Sequence, residues 1–289
     1  MNLRESRRRR HVMLVLGLLT PGILWLSLLW VVPQIQMVIS SFYNDVTKVY
    51  TLRNYLDFFG WSLYWRTFLD TFFLAAWATV VSLFVAYPAA YFFAKVLHSR
   101  WKDTLLILIL SPFLISSVIQ VFAWMLLLSE NGIFSMILQK AHLVSGPVEF
   151  LYTKGAVLLG LVYAQMLFMF LPLYSVLEGM DDSLLEAARD LGAGGFRTLV
   201  YVVLPYSKPG IVSGVIITFL HNMGSYLVPS LLGGKSQVMF VQLIYNAFYR
   251  SYNWNRGAAF AWMMLSFCFL LIWVFLVLTR QKLKDVEIA

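Results

Sequence analysis

Charged side chains are scarce in this 289-residue chain, at 12% against 60% hydrophobic residues. A soluble domain carries roughly 25% charge, so water is not the solvent for most of these residues. Cysteine is nearly absent: Cys268 stands alone, which excludes an intrachain disulfide framework and a thiolate metal cluster. The four histidines, His11, His98, His142 and His221, show no ligand spacing. There is no Gly-x-Ser-x-Gly elbow and no His-Glu-x-x-His pair, so a hydrolase would have neither nucleophile nor zinc site. Gly234-Lys235-Ser236 looks like the end of a phosphate-binding loop, but Pro229 stands where that motif needs its first glycine. The chain is expected to be no enzyme and to bind no cofactor.

Six apolar stretches remain, each near the roughly 20 residues that cross a bilayer as a helix: 12–33, 71–94, 104–128, 155–177, 210–232 and 257–279. Their runs are continuous rather than alternating, which argues for helices over a β-barrel. The expected fold class is an all-α membrane protein with six transmembrane helices. A basic tail (1–11) would precede one membrane domain (12–279), and a short tail (280–289) would follow. Segments 1–11, 95–103, 178–209 and 280–289 hold fourteen of the 22 lysines and arginines, so the positive-inside bias puts both termini in the cytoplasm. The net charge of +8 flanks spans and forms no basic face, so no nucleic-acid partner is expected. The spans are almost free of ionisable groups, with only His221 deep inside one, whereas ion-coupled carriers keep such groups at membrane depth. The chain shows no engine of its own.

Residues 178–210 form the one long polar connection on the cytoplasmic side. Ser183-Leu184-Leu185-Glu186 has the spacing of a capping box, and Asp181 and Asp182 suit the positive end of a helix dipole. The spacing predicts a helix to Leu191, ended by Gly192 in the left-handed conformation. Leu184, Ala188 and Leu191 would share a face. Residues 196–203 would form a second short helix, stopped at Leu204-Pro205, and Pro209-Gly210 would open the fifth span. Two turns of helix are unstable alone in water, so this loop must lean on something.

Glu186-Ala187-Ala188, three residues, Gly192, nine residues, Val202, one residue and Leu204-Pro205 together resemble the EAA signature of permease subunits in binding-protein-dependent ABC importers. Val202 stands where the family usually has isoleucine. The resemblance implies the type I importer permease fold. It also implies a coupling role for Glu186, Ala187, Ala188, Gly192, Leu204 and Pro205, which would sit in a groove of an ATP-binding subunit. Asn131-Gly132, Val228-Pro229 and Leu231-Leu232-Gly233-Gly234 look like the first permease of spermidine/putrescine importers. The implied partners are a second, non-identical permease, two ATP-binding subunits holding the ATP and magnesium, and a periplasmic solute-binding protein, all at a bacterial inner membrane. Ser225 and Ser230 stand where polyamine permeases carry glutamates. Amino-acid derivatives, opines, organophosphonates and other small polar solutes therefore stay open.

Polar or aromatic groups at membrane depth are costly unless they meet a partner or a wet cavity. Gln120, Trp124, Tyr163, Gln165, His221, Asn222, Ser225 and Tyr226 are such positions and are the candidate solute pathway. His221, Asn222 and Ser225 would share one face of the fifth span. Interhelical hydrogen bonding is the structural alternative for all of them. Two other readings are an ion-coupled carrier and a membrane scaffold whose loop only docks a protein. Gly210 and Gly214 on the fifth span, and Ala86, Ala90 and Ala94 on the second, suggest close helix packing.

Overall fold

A computed structural model describes residues 15, 17–44, 48–97, 99–144, 146–234 and 237–279. The basic N-terminal tail, the 280–289 tail and Lys235-Ser236 lie outside the described residues, as do 12–14 and 16 of the first expected span. Five helices among the described residues are long and apolar enough to cross a membrane: Gly17–Ser41 (α1), Ser62–Val96 (α3), Ser117–Lys140, Lys154–Glu178 (α7) and Trp254–Thr279 (α13). A sixth crossing is made if Gly195–Tyr206 (α9) and Lys208–Met223 (α10), bent by 66°, act as one broken span. Among the described residues, one small hairpin follows α1, with β1 (Tyr43–Asn44) antiparallel to β2 (Val49–Tyr50).

The chain divides into two compact units. The first comprises Met1–Trp61 and Ile244–Met264. Its α1 exposes apolar side chains all round over most of its length, the pattern of a helix solvated by lipid. At its end, the Asn54 amide of α2 (Arg53–Gly60) donates to the Ser41 and Tyr43 carbonyls at 2.9 and 3.1 Å, which fastens the turn into the hairpin.

The second unit, Ser62–Leu243 with Leu265–Ala289, carries the functional groups. Its centre is the trio α3, α7 and α10, and small residues let these helices close up. Ala86, Ala90 and Ala94 are buried on α3. A Cβ on Gly210 would lie 2.7 Å from the Pro172 carbonyl oxygen, and one on Gly214 3.0 Å from the Met169 sulfur. Asn222 of α10 donates to Thr79 of α3 at 3.2 Å across the buried seam. Loop residues join the same core: Met180, Leu185 and Val203 pack with Phe93, Ala94 and Leu177.

Two expected spans are not continuous. The stretch 104–128 divides into α4 (Ser99–Leu110), a 3-10 turn at Ser111–Leu114, and α5 (Ser117–Leu128), which a turn joins to α6 (Ile133–Lys140). Pro112 offers no amide to the helical ladder. Gln120 satisfies carbonyls freed there, its amide donating to Pro112 at 2.7 Å and Ile115 at 3.0 Å. The stretch 210–232 ends as a helix at Met223, where the Gly224 amide closes on the Leu220 carbonyl at 3.0 Å, and resumes as α11 (Leu227–Leu232). α12 (Phe240–Tyr249) precedes the final long helix α13.

Candidate docking element and cavity

The polar loop contains the expected short helix, α8 (Ser183–Asp190), but its start is built differently from a capping box. Asp182 is the N-cap residue and makes no capping bond from its side chain. Asp181 instead accepts the Ser183 amide at 2.9 Å, a bond that holds its carboxyl below the usual carboxylate range. Asp182 is drawn 2.7 Å from the Lys95 ammonium. The other end is as expected. Gly192 has φ +77°, its amide donates to Arg189 at 2.8 Å, and the Ala193 amide reaches back to Ala188 at 2.9 Å. This is the paired closure of a Schellman motif.

The inward face of α8 is Leu185 with Ala188; of Leu184, Ala188 and Leu191, only Ala188 is buried. Leu185 belongs to the core around Met180, and that anchor sets the rotation of the helix. Leu184 is left 41% exposed and Leu191 89%. Glu186 and Ala187 also face outward. After the glycine break, α9 runs on through Leu204 and Pro205 to Tyr206 rather than stopping at the proline. A π-type widening at Leu199–Val203 precedes Pro205, and such adjustments accommodate its missing donor. Phe196 and Tyr201 on α9 are 78% and 76% exposed. Sequence reading passed over Phe196; an aromatic residue directly after a Gly-Gly break in a polar loop was the available signal. Tyr206 donates to the Gly179 carbonyl at 3.1 Å, which ties the end of α9 to the end of α7.

A separate cavity of about 350 Å3 lies among α5, α7 and the residues after α10. It gathers Gln120, Trp124, Tyr163, Gln165, His221, Ser225 and Tyr226 from three well-separated segments of the chain. Trp124 meets Tyr163 edge-on at 5.2 Å, and His221 stacks on Phe168 at 4.2 Å. The Gln165 Oε1 is shielded from solvent and accepts no hydrogen bond. Among the described residues, no carboxylate lines the cavity. Asn222 is not part of it. Because α10 ends at Met223, His221, Asn222 and Ser225 do not share a helical face, and Asn222 is fully buried against Thr79. Ser230 is engaged elsewhere, donating to the Tyr226 carbonyl at 2.6 Å and accepting from Gln242 at 3.0 Å.

Residues 6–284 match the family model described as the inner membrane component of binding-protein-dependent transport systems. The spermidine/putrescine transport system permease PotB of Haemophilus influenzae is 34% identical over 269 residues, which cover 91% of this chain and 93% of the relative. PotB of Escherichia coli is 33% identical over 269 residues, covering 91% and 97%. Among solved structures, a bacterial alginate ABC transporter in complex with an alginate pentasaccharide-bound periplasmic protein has a chain that superposes with a TM-score of 0.80. That match covers 97% of this chain and 98% of the other at 16% identity, a likeness of fold.

Proposed function

The chain belongs to the family of inner-membrane components of binding-protein-dependent transport systems, and from that premise we propose that it builds half of a translocation pathway and couples it to ATP hydrolysis in a separate subunit. It is a multi-pass permease subunit of an ABC importer, a transport component. The observation that carries the coupling reading is the loop element itself. A two-turn helix closed at its far end by Gly192 holds Leu184, Glu186, Leu191 and, beyond the break, Phe196 outward on a rigid base. Large apolar groups that water reaches in an otherwise polar loop fit a protein groove. In this reading Glu186 supplies a polar contact, Ala187 leaves room for close approach, and Ala188 seats the helix. Gly192 makes the turn, and Leu204 and Pro205 set the exit of α9. ATP and magnesium would bind the two ATPase subunits and not this chain. A second, non-identical permease would complete the pathway, and a periplasmic binding protein would deliver the solute. Both termini would then be cytoplasmic, with 12–279 as the membrane domain.

The cavity is the candidate solute path, lined by Gln120, Trp124, Gln165, His221, Ser225 and Tyr226. Its π faces attract cations, which suits a polyamine-type solute like that named for PotB. The missing carboxylate favours a second reading, in which the solute is another small polar compound such as an amino-acid derivative, opine or organophosphonate. A ligand screen on the binding protein of the same system decides between the two. Extraction of the tagged chain in mild detergent is expected to recover the second permease and the ATP-binding subunit. Glu186→Lys is expected to abolish uptake while the chain stays in the membrane at its normal level. Normal uptake by that variant would remove Glu186 from the coupling role.

A further inference from the structure

Asp182 occupies the N-cap position of the coupling helix, where an aspartate commonly stabilises its own helix through a bond to a first-turn amide. Its carboxylate makes no such bond. It lies instead 2.7 Å from Lys95, 87 residues earlier, on the last turn of α3. The Lys95 side chain is only 5% exposed, whereas that of Asp182 is 75% exposed. A second donor position of the same ammonium meets the Met180 carbonyl. A desolvated ammonium with two acceptors is costly to disturb, because loss of either partner leaves a buried charge under-satisfied.

A parallel contact lies beside it. Lys102 of α4 pairs with Glu178, the last residue of α7, and reaches the Ala94 carbonyl, next to Lys95, at 3.4 Å. The two lysines thus grip both sides of the corner Gly179-Met180-Asp181, where α7 hands over to the coupling helix. We infer that Lys95 is a positioning residue. Through Asp182 and the Met180 carbonyl it fixes the start of the coupling helix to the inner end of α3, so that helix and span turn together when the ATPase moves. This rests on the coupling role proposed above. It assigns the lever's attachment point within the membrane domain, not the surface that meets the ATPase.

The test uses the whole transporter, purified through a tag on this chain and reconstituted in liposomes with its binding protein. Radiolabelled putrescine moved per ATP hydrolysed is measured for Lys95→Met and Lys95→Arg. Lys95→Met is expected to lower transport per ATP at least tenfold while ATPase subunits remain bound and hydrolysis continues. Lys95→Arg is expected to restore at least half, since it keeps the charge and the donors. Unchanged transport per ATP in Lys95→Met overturns the inference. So does release of the ATPase subunits, which would make Lys95 part of docking or folding. Leu191→Ala with Phe196→Ala is measured beside them. If that pair leaves ATPase retention untouched, the coupling-loop reading fails on its own, whatever Lys95 does.

Discussion

A buried polar side chain and a cavity-lining one look alike in a sequence, and His221, Asn222, Ser225 and Tyr226 separate the two. Asn222 bridges to Thr79 and is shut away from the cavity, while His221, Ser225 and Tyr226 border it. Interhelical hydrogen bonds of this kind in membranes average roughly 0.6 kcal/mol. Asn222→Ala removes that bond and leaves a void, so it is expected to lower the thermal stability of the detergent-solubilised chain and, through that, its level in the membrane. Tyr226→Ala is expected to change the uptake rate at an unchanged protein level. Uptake and quantitative immunoblotting of the same membranes separate the two outcomes. If both variants alter uptake at full protein level, Asn222 acts in the pathway after all.

The elements were legible where one physical signal governed them. The expected span 155–177 corresponds to Lys154–Glu178, because its apolar run meets a real cap: Thr153 accepts the Ala156 amide at 3.1 Å. Gly192 was legible because only glycine adopts φ +77° without strain. The breaks at Pro112 and Gly224 were not legible from hydropathy, which weighs composition and cannot register an interrupted hydrogen-bond ladder within an apolar run. The start of α8 was misread for another reason. Asp181 takes the Ser183 amide and Asp182 pairs with Lys95, a partner that no local pattern reveals. The contacts of α10 allow a test at this scale. A side chain on Gly210 must displace the Pro172 carbonyl and Val176, whereas Gly22 on α1 has open space around it. Gly210→Val is expected to destabilise the α7–α10 packing by about 1–3 kcal/mol and to lower membrane yield. Gly22→Ala should leave yield unchanged. Equal yields for the two would mean that α7 and α10 can part without cost.

At the scale of the molecule, the cavity is a wall of amides and rings gathered from three segments of one chain. What such a wall attracts depends on its charge. Trp124, Tyr163 and Tyr226 present electron-rich ring faces, and no acid among the lining residues adds a formal charge. A cationic solute would be held there by ring faces, each cation–π contact worth about 0.5–2 kcal/mol, and not by an ion pair. Ser225 borders this wall, so Ser225→Glu places a carboxylate in the cavity without disturbing the helical core. For a polyamine-type solute, Ser225→Glu is expected to maintain or raise uptake of a putrescine-like dication, since an opposite charge is added along its path. For an anionic solute such as an organophosphonate, the same change should cut uptake at least tenfold by repulsion in a poorly screened site. Radiolabelled uptake of both solute classes, in cells carrying the complete transporter, reads the sign directly. Loss of dication uptake, with the chain still present in the membrane, would turn the assignment away from polyamines while leaving the coupling loop and the permease fold as they stand.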